Sequence, residues 1–313
     1  MANIKLRSPY YIQHTEPLSS QIVSGTLELT LNSASSPQYT LSKDAVKIGS
    51  NYGVLFDISE LSRDYLYITF DGSYTNQKTD IDATIKLYNT GGGLSSSQTV
   101  THDGFDGWSE FSDGVNVTMN TLSLAQSNTT IYVPNGVSGV IPFFDAGVGN
   151  LSYATFNTTD TTKTVVGTVI TIERICDPKY TPIKVTFINA YGAFQDIWFD
   201  KKNVEELVIK RDLFKGSIIS SSGTYSTTNH SKKTLDVIGN ETITMNTGFV
   251  DENMNQVIKE LLLSKQVWST IDGTVYPMNV DESSHTYKTS INDKLINHNI
   301  KFSYAFDLIN NIR

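Results

Sequence analysis

Apolar and polar positions alternate with a period of two along most of this chain of 313 residues. That spacing puts successive side chains on opposite faces of a strand. GTLELTLN (25–32) sets Leu27, Leu29 and Leu31 on one face. DYLYITFDG (64–72) sets Tyr65, Tyr67 and Thr69 against Leu66, Ile68 and Phe70, and Asp71-Gly72 closes it as a turn. VLFDISEL (54–61) predicts a strand running into a short helical turn, and TDIDATIKLYNT (79–90) predicts a further strand. GGGLSSSQ (91–98) reads as a flexible loop, DGFDGWSEFSDG (103–114) as a polar loop with three aromatics. TIYVP (130–134) and GVIPFFD (139–145) are short strands broken by proline.

From about residue 163 the strands lengthen. TKTVVGTVITIERI (162–175) reads as one long β-branched strand, with the next turn at Cys176-Asp177-Pro178. IKVTFINAYG and AFQDIWFDKK predict a hairpin joined at Tyr191-Gly192. VEELVIKRDLFK, ITMNTGFV, TVYPMNV, TYKTSI and KFSYAFDLI supply further strands, the last near the chain's end. One segment breaks the pattern. In DENMNQVIKELLLSKQVW (251–268), Met254, Val257, Ile258, Leu261 and Leu262 recur at helical spacing, and Asp251 and Glu252 favour the N-terminus. The predicted fold is therefore mainly β. It has two β-sandwich-like domains, residues 1–160 and 161–313, and the second carries the amphipathic helix.

Composition narrows the function. Charged residues make up only 18% of the chain, and the single cysteine, Cys176, allows no internal disulfide. Its place at a strand end, without a nearby histidine, reads as a buried small hydrophobe. No apolar run follows the N-terminal Lys and Arg, so no signal peptide is expected, and no stretch is long enough to span a membrane. Residues 87–162 hold six acids (Asp103, Asp106, Glu110, Asp113, Asp145, Asp160) and no Lys or Arg. A net charge of −8 without a basic stripe argues against specific nucleic-acid binding, and the acidic stretch is expected to face an open surface or a lumen.

Catalytic chemistry is sparse. There is no Walker A loop, no G-x-G-x-x-G after a strand, no G-x-S-x-G elbow and no H-E-x-x-H. The histidines His14, His102, His230, His285 and His298 are scattered and read as solvated loop residues. Asp103, Asp106, Glu110 and Asp113 match no EF-hand loop and read as a solvated turn, so neither metal nor cofactor is expected. Phe105, Trp108 and Phe111 share that loop and are the candidate subunit interface, because exposed aromatic clusters mark interaction sites. Stacking on sugars and anchoring the loop itself are the alternative uses of the same rings.

Two ordered series of segments carry a resemblance. The first is RSPYYIQ, GTLELTL, QYTLSKDAV and FDISELSRDYL. The second is VTFINAYGAFQDIWFDKK, ETITMNTGFVDENMNQVIKELLLSKQVWS and YKTSINDKLINHNIKFSYAFDLINNIR. Together they resemble virion structural proteins of tailed bacteriophages infecting Bacteroidota, including the crAss-like group. Asp200 departs from that resemblance, where an aromatic or apolar residue is expected after Trp198-Phe199. The resemblance implies a non-enzymatic β subunit of an oligomeric ring or hub in the tail, neck or baseplate. Its partners would be other copies of itself and neighbouring virion proteins, and its location the virion, assembled in the host cytoplasm. The competing readings are a receptor- or carbohydrate-binding β-sandwich and, third, a glycan depolymerase.

Overall fold

A computed structural model describes residues 2–145, 150–176, 179–289 and 296–309. The turn expected at Asp177-Pro178, the end of the TYKTSI strand and the last residues of the chain lie outside the described residues. The described chain is mainly β, with five sheets and two short helices.

The first sheet has six strands, in the order Tyr39–Asp44, Ile22–Leu31, Thr79–Asn89, Leu94–Phe105, Ala2–Lys5 and Thr118–Met119. A three-stranded sheet of Tyr11–Pro17, Asn51–Asp57 and Val46–Ile48 packs over it. Alternation decides which side chains meet: Leu27, Leu29 and Leu31 from one strand and Ile81, Ala83, Ile85 and Leu87 from its neighbour are buried against Val54 and Phe56 of the second sheet.

Two three-stranded sheets follow. One is Ser123–Leu124, Gly139–Phe144 and Leu151–Phe156; the other is Thr130–Pro134, Thr168–Ile175 and Thr162–Val165. They share a core of Val133, Ile141, Phe156, Val165, Ile170 and Ile172. A ladder here crosses residue 160, because Thr130–Pro134 pairs in parallel with Thr168–Ile175. The 162–175 segment is a hairpin rather than one strand. It turns at Val166-Gly167, both with positive φ (48° and 75°), the twist that suits a two-residue hairpin turn.

The last sheet has seven strands, in the order Phe194–Phe199, Ile183–Ile188, Val267–Ile271, Thr274–Val280, Asn299–Tyr304, Lys232–Asn246 and Val204–Lys215. The helix Met254–Leu263 buries Met254, Val257, Ile258 and Leu261 on it, against Val185, Phe187, Ile243 and Phe302. The helix is shorter than its sequence pattern. Ser264 ends it, and its hydroxyl accepts from Ile188 N–H at 3.1 Å and donates to Gln266 O at 2.9 Å. Val267 and Trp268 then join the ladder, where β-branched and aromatic residues fit a pleated surface.

Three other expectations are corrected. Residues 64–72 form no strand: they cross the molecule without a ladder partner, and Phe70 instead packs on Phe194 and Trp268. The glycine-rich stretch 91–98 is a loop only at its start, since the strand Leu94–Phe105 begins inside it. Cys176 is exposed, not buried.

Candidate assembly surfaces

The aromatic loop is built where three parts of the chain meet. Phe105 ends its strand fully buried, edge-on to Phe144 at 5.3 Å. Gly192, at φ 80°, lies so close that a Cβ there would sit 2.7 Å from the Phe105 Cβ. Only glycine allows both that φ and that approach. Phe105 is therefore a core residue and no part of an outer surface, a correction to its place in the candidate interface.

Trp108 is half-buried and also turned inward. Its backbone N–H donates to Ala190 O at 3.0 Å, and its backbone carbonyl accepts from Lys5 Nζ at 3.0 Å. Lys259 of the helix holds its ammonium 5.8 Å from the Trp108 ring centre and pairs with Glu110 at 2.6 Å. Arg7 donates to Leu263 O at 2.9 Å, placing a cation at the helix C-terminus. The loop thus ties the first sheet to the helix and the seven-stranded sheet within one chain.

Phe111 alone of the three aromatics points out, 103% exposed. It heads a one-turn 3-10 segment in which Asp113 accepts from Glu110 N–H at 3.0 Å. A large apolar side chain is thereby held in water by a fixed turn.

The acids of the same loop are accounted for by cations far away in sequence. Asp103 is buried and pairs with Lys78 at 2.7 Å; burial pushes its carboxyl up and Lys78 opposes that shift. Asp106 is buried too, with its carboxyl raised by desolvation and drawn back by Arg7. The acidic stretch therefore does not wholly face an open surface, because two of its carboxylates are inside. Among the described residues no group of three or more His, Cys, Asp or Glu is arranged to hold a metal ion.

His298 corrects the reading of solvated histidines. It is buried beside His285, ring centres 5.2 Å apart, with no hydrogen-bond partner for either ring nitrogen among the described residues. Burial, then His285 and Lys288, holds its pKa down to about 4. Asp200, where an apolar residue was expected, is buried and paired with Lys201.

A run of exposed apolar side chains lies elsewhere, on the ribbon of Val204–Lys215 and Lys232–Asn246. Every residue of Val204–Lys215 is exposed. Val204, Leu207, Val208, Ile209, Leu213 and Phe214 are all among the exposed large hydrophobics. The ribbon base is anchored by Ile243 and Met245 in the core, and by Asn240 Nδ2 donating to Tyr304 O and Phe306 O at 3.0 Å each. Beyond Gly239, whose carbonyl accepts from Leu308 N–H at 2.7 Å, the two strands pair only with each other among the described residues. The sequence carries a signal for this. Leu207-Val208-Ile209 is flanked by charges at consecutive positions, Glu205-Glu206 and Lys210-Arg211, so neither strand face is marked as inside.

A cavity of about 570 Å³ lies between the middle sheets and the seven-stranded sheet, lined in part by Tyr74, Phe156, Lys184, Asp196 and Trp198. On its wall Tyr74 OH donates to Asp196 at 2.5 Å, Thr186 donates to the other carboxylate oxygen at 2.6 Å, and Lys184 donates to Tyr74 OH at 2.8 Å. Burial and the adjacent Asp196 raise the Tyr74 phenol, which stays protonated as a donor. No family model, curated protein or solved structure matches this chain. Among the described residues no helix is long and apolar enough to cross a membrane.

Proposed function

We propose that the chain is a structural subunit of a tailed-phage virion, part of an oligomeric ring or hub in the tail, neck or baseplate. It joins other copies of itself and neighbouring virion proteins and performs no catalysis. The observation that carries this reading is the ribbon 204–215/232–246, whose apolar side chains the body leaves in water. A free-standing monomer rarely keeps so much contiguous apolar surface. Phe111, held outward on its turn, adds a second contact point. The ordered resemblance to virion proteins supplies the context.

The test is location. Antibodies against the chain, labelling purified phage particles, should mark one fixed level along the tail axis. Particles that carry no label and yield no peptide of the chain by mass spectrometry would overturn the reading.

A second reading, a carbohydrate- or receptor-binding module, is favoured by the cavity beside Trp198 and Tyr74, where rings stand next to Asp196 and Lys184. Sugars are held by such pairings of aromatic faces and polar groups. Saturable binding on a glycan array, lost in Trp198→Ala, would support this module instead.

A further inference from the structure

We propose that the outer ribbon strand Val204–Lys215 pairs with the same strand of a second copy, antiparallel and centred on Val208, so that two seven-stranded sheets become one. This rests on the reading of the chain as an assembly subunit and names its first partner.

The strand is the terminal one of its sheet. Among the described residues its outer edge therefore presents a row of N–H and C=O groups with no ladder partner. Natural proteins usually blunt such an edge with a bulge, a proline, a very short strand or charged side chains, and of these this strand carries charges of both signs. Here the pairing with Lys232–Asn246 runs regularly from Val204 to Asp212 and breaks only between Asp212 and Leu213. Val208 is the midpoint of that regular run. Leu207, Val208 and Ile209 are 48%, 46% and 49% exposed.

The charges choose the partner. On the inner side Glu205, Glu206, Lys210 and Arg211 stand opposite Ile243, Thr242, Ile238 and Val237, so cross-strand pairing neutralises none of them. Glu206 reaches Lys301 at 3.0 Å. Glu205 and Arg211 are about 20 Å apart along one strand and cannot meet within a chain.

A two-fold axis normal to the sheet and passing through Val208 aligns them all. Glu205 then faces the second copy's Arg211, Glu206 its Lys210, and Leu207 its Ile209, each pair on one face. Slipped registers lose this match. Centring on Leu207 puts Glu205 opposite Ile209, centring on Ile209 puts Glu206 opposite Asp212, and centring on Glu206 puts that acid opposite itself. Opposite charges directly across a ladder stabilise it and like charges disfavour it, so one register is selected. The contact is isologous and closes as a dimer, so a ring containing this subunit would be assembled from pairs.

The experiment is the mass of the purified full chain in solution as a function of concentration. Wild type should approach twice the chain mass. Glu205→Arg and Arg211→Glu should each weaken dimerisation by about ten-fold, because two attractive pairs become repulsive. The double variant Glu205→Arg/Arg211→Glu should recover the wild-type dissociation constant, since the pairs are restored with their signs exchanged. Unchanged melting temperatures in all three variants would show that the fold is intact. A wild-type chain that stays monomeric, single variants that dimerise like wild type, or a double variant as weak as the singles would each overturn the pairing. Those results would leave the particle-labelling test of the subunit reading unaffected, so the two failures are distinguishable.

Discussion

The two ends of the seven-stranded sheet follow opposite rules. At one end the edge strand Phe194–Phe199 and its neighbour Ile183–Ile188 bury Val185, Phe187, Ile197 and Phe199 in the core that the helix covers. At the other end Val204–Lys215 carries six large apolar side chains among six charged ones and buries none of them. Apolar side chains occur at both ends, but charge is denser at the second and coverage differs: the helix stripe and the middle sheets supply partner surface on one side, and nothing described supplies it on the other. Most of the sheet is buried in folding the chain, and the outer strand Val204–Lys215 is left in water.

The sharpest way to break this comparison is to charge the covered end. Leu261 is fully buried between helix and sheet. Leu261→Asp should cost about 4 kcal/mol of unfolding free energy by chemical denaturation, through an unpaired buried charge. A variant that melts like wild type would mean that the helix does not close the core.

The buried His298 sharpens it next. Its folded pKa, about 4, lies below the unfolded value near 6.5, so the unfolded chain binds the proton first as pH falls. The full stability is present above pH ~6.5 and is lost as pH falls toward 4, by about 2–3 kcal/mol. His285 and Lys288 face the same site and oppose protonation. Thermal melts across that range should slope upward with pH, and His298→Phe should flatten the slope. An equal slope in the variant would place the effect in other groups.

Trp108 and Phe111 divide the aromatic loop along the same line. Trp108→Ala should lower stability by about 1–2 kcal/mol, since it removes packing and the Lys259 contact. Phe111→Ser should change stability by less than about 0.5 kcal/mol and reduce association with a partner. The reverse order of effects in matched melts would overturn the division.

The smallest expected effect concerns DNA. The ribbon tip sets Lys215 opposite Lys232 and Phe214 opposite Lys233. The acids elsewhere outweigh these cations, so a gel shift should show no salt-sensitive retention of duplex DNA. Retention that weakens steeply with salt and vanishes in Lys232→Glu/Lys233→Glu would make the uncovered end a polyanion surface instead.

The sequence by itself determined the β class, because strand alternation is local. Leu27, Leu29 and Leu31, the hairpin through Tyr191-Gly192, and the helix stripe through Leu261 were all legible from side-chain period and turn chemistry alone. Tertiary structure decided what covers what. The alternating aromatics of residues 64–72 met no neighbouring strand, and a ladder needs two. Val267 and Trp268 continued the helical pattern but completed a sheet. Phe105 and Trp108 were sent inward by the turn at Gly192, more than eighty positions away, while Phe111 was left outside. Lys78 and Lys259 reached acids that lack any cation in their own stretch. The exposed ribbon was the least legible feature, because exposure is a property of the absent neighbour. Local pattern states only that a side chain prefers to leave water; whether another part of the chain arrives to cover it depends on contacts distant in sequence.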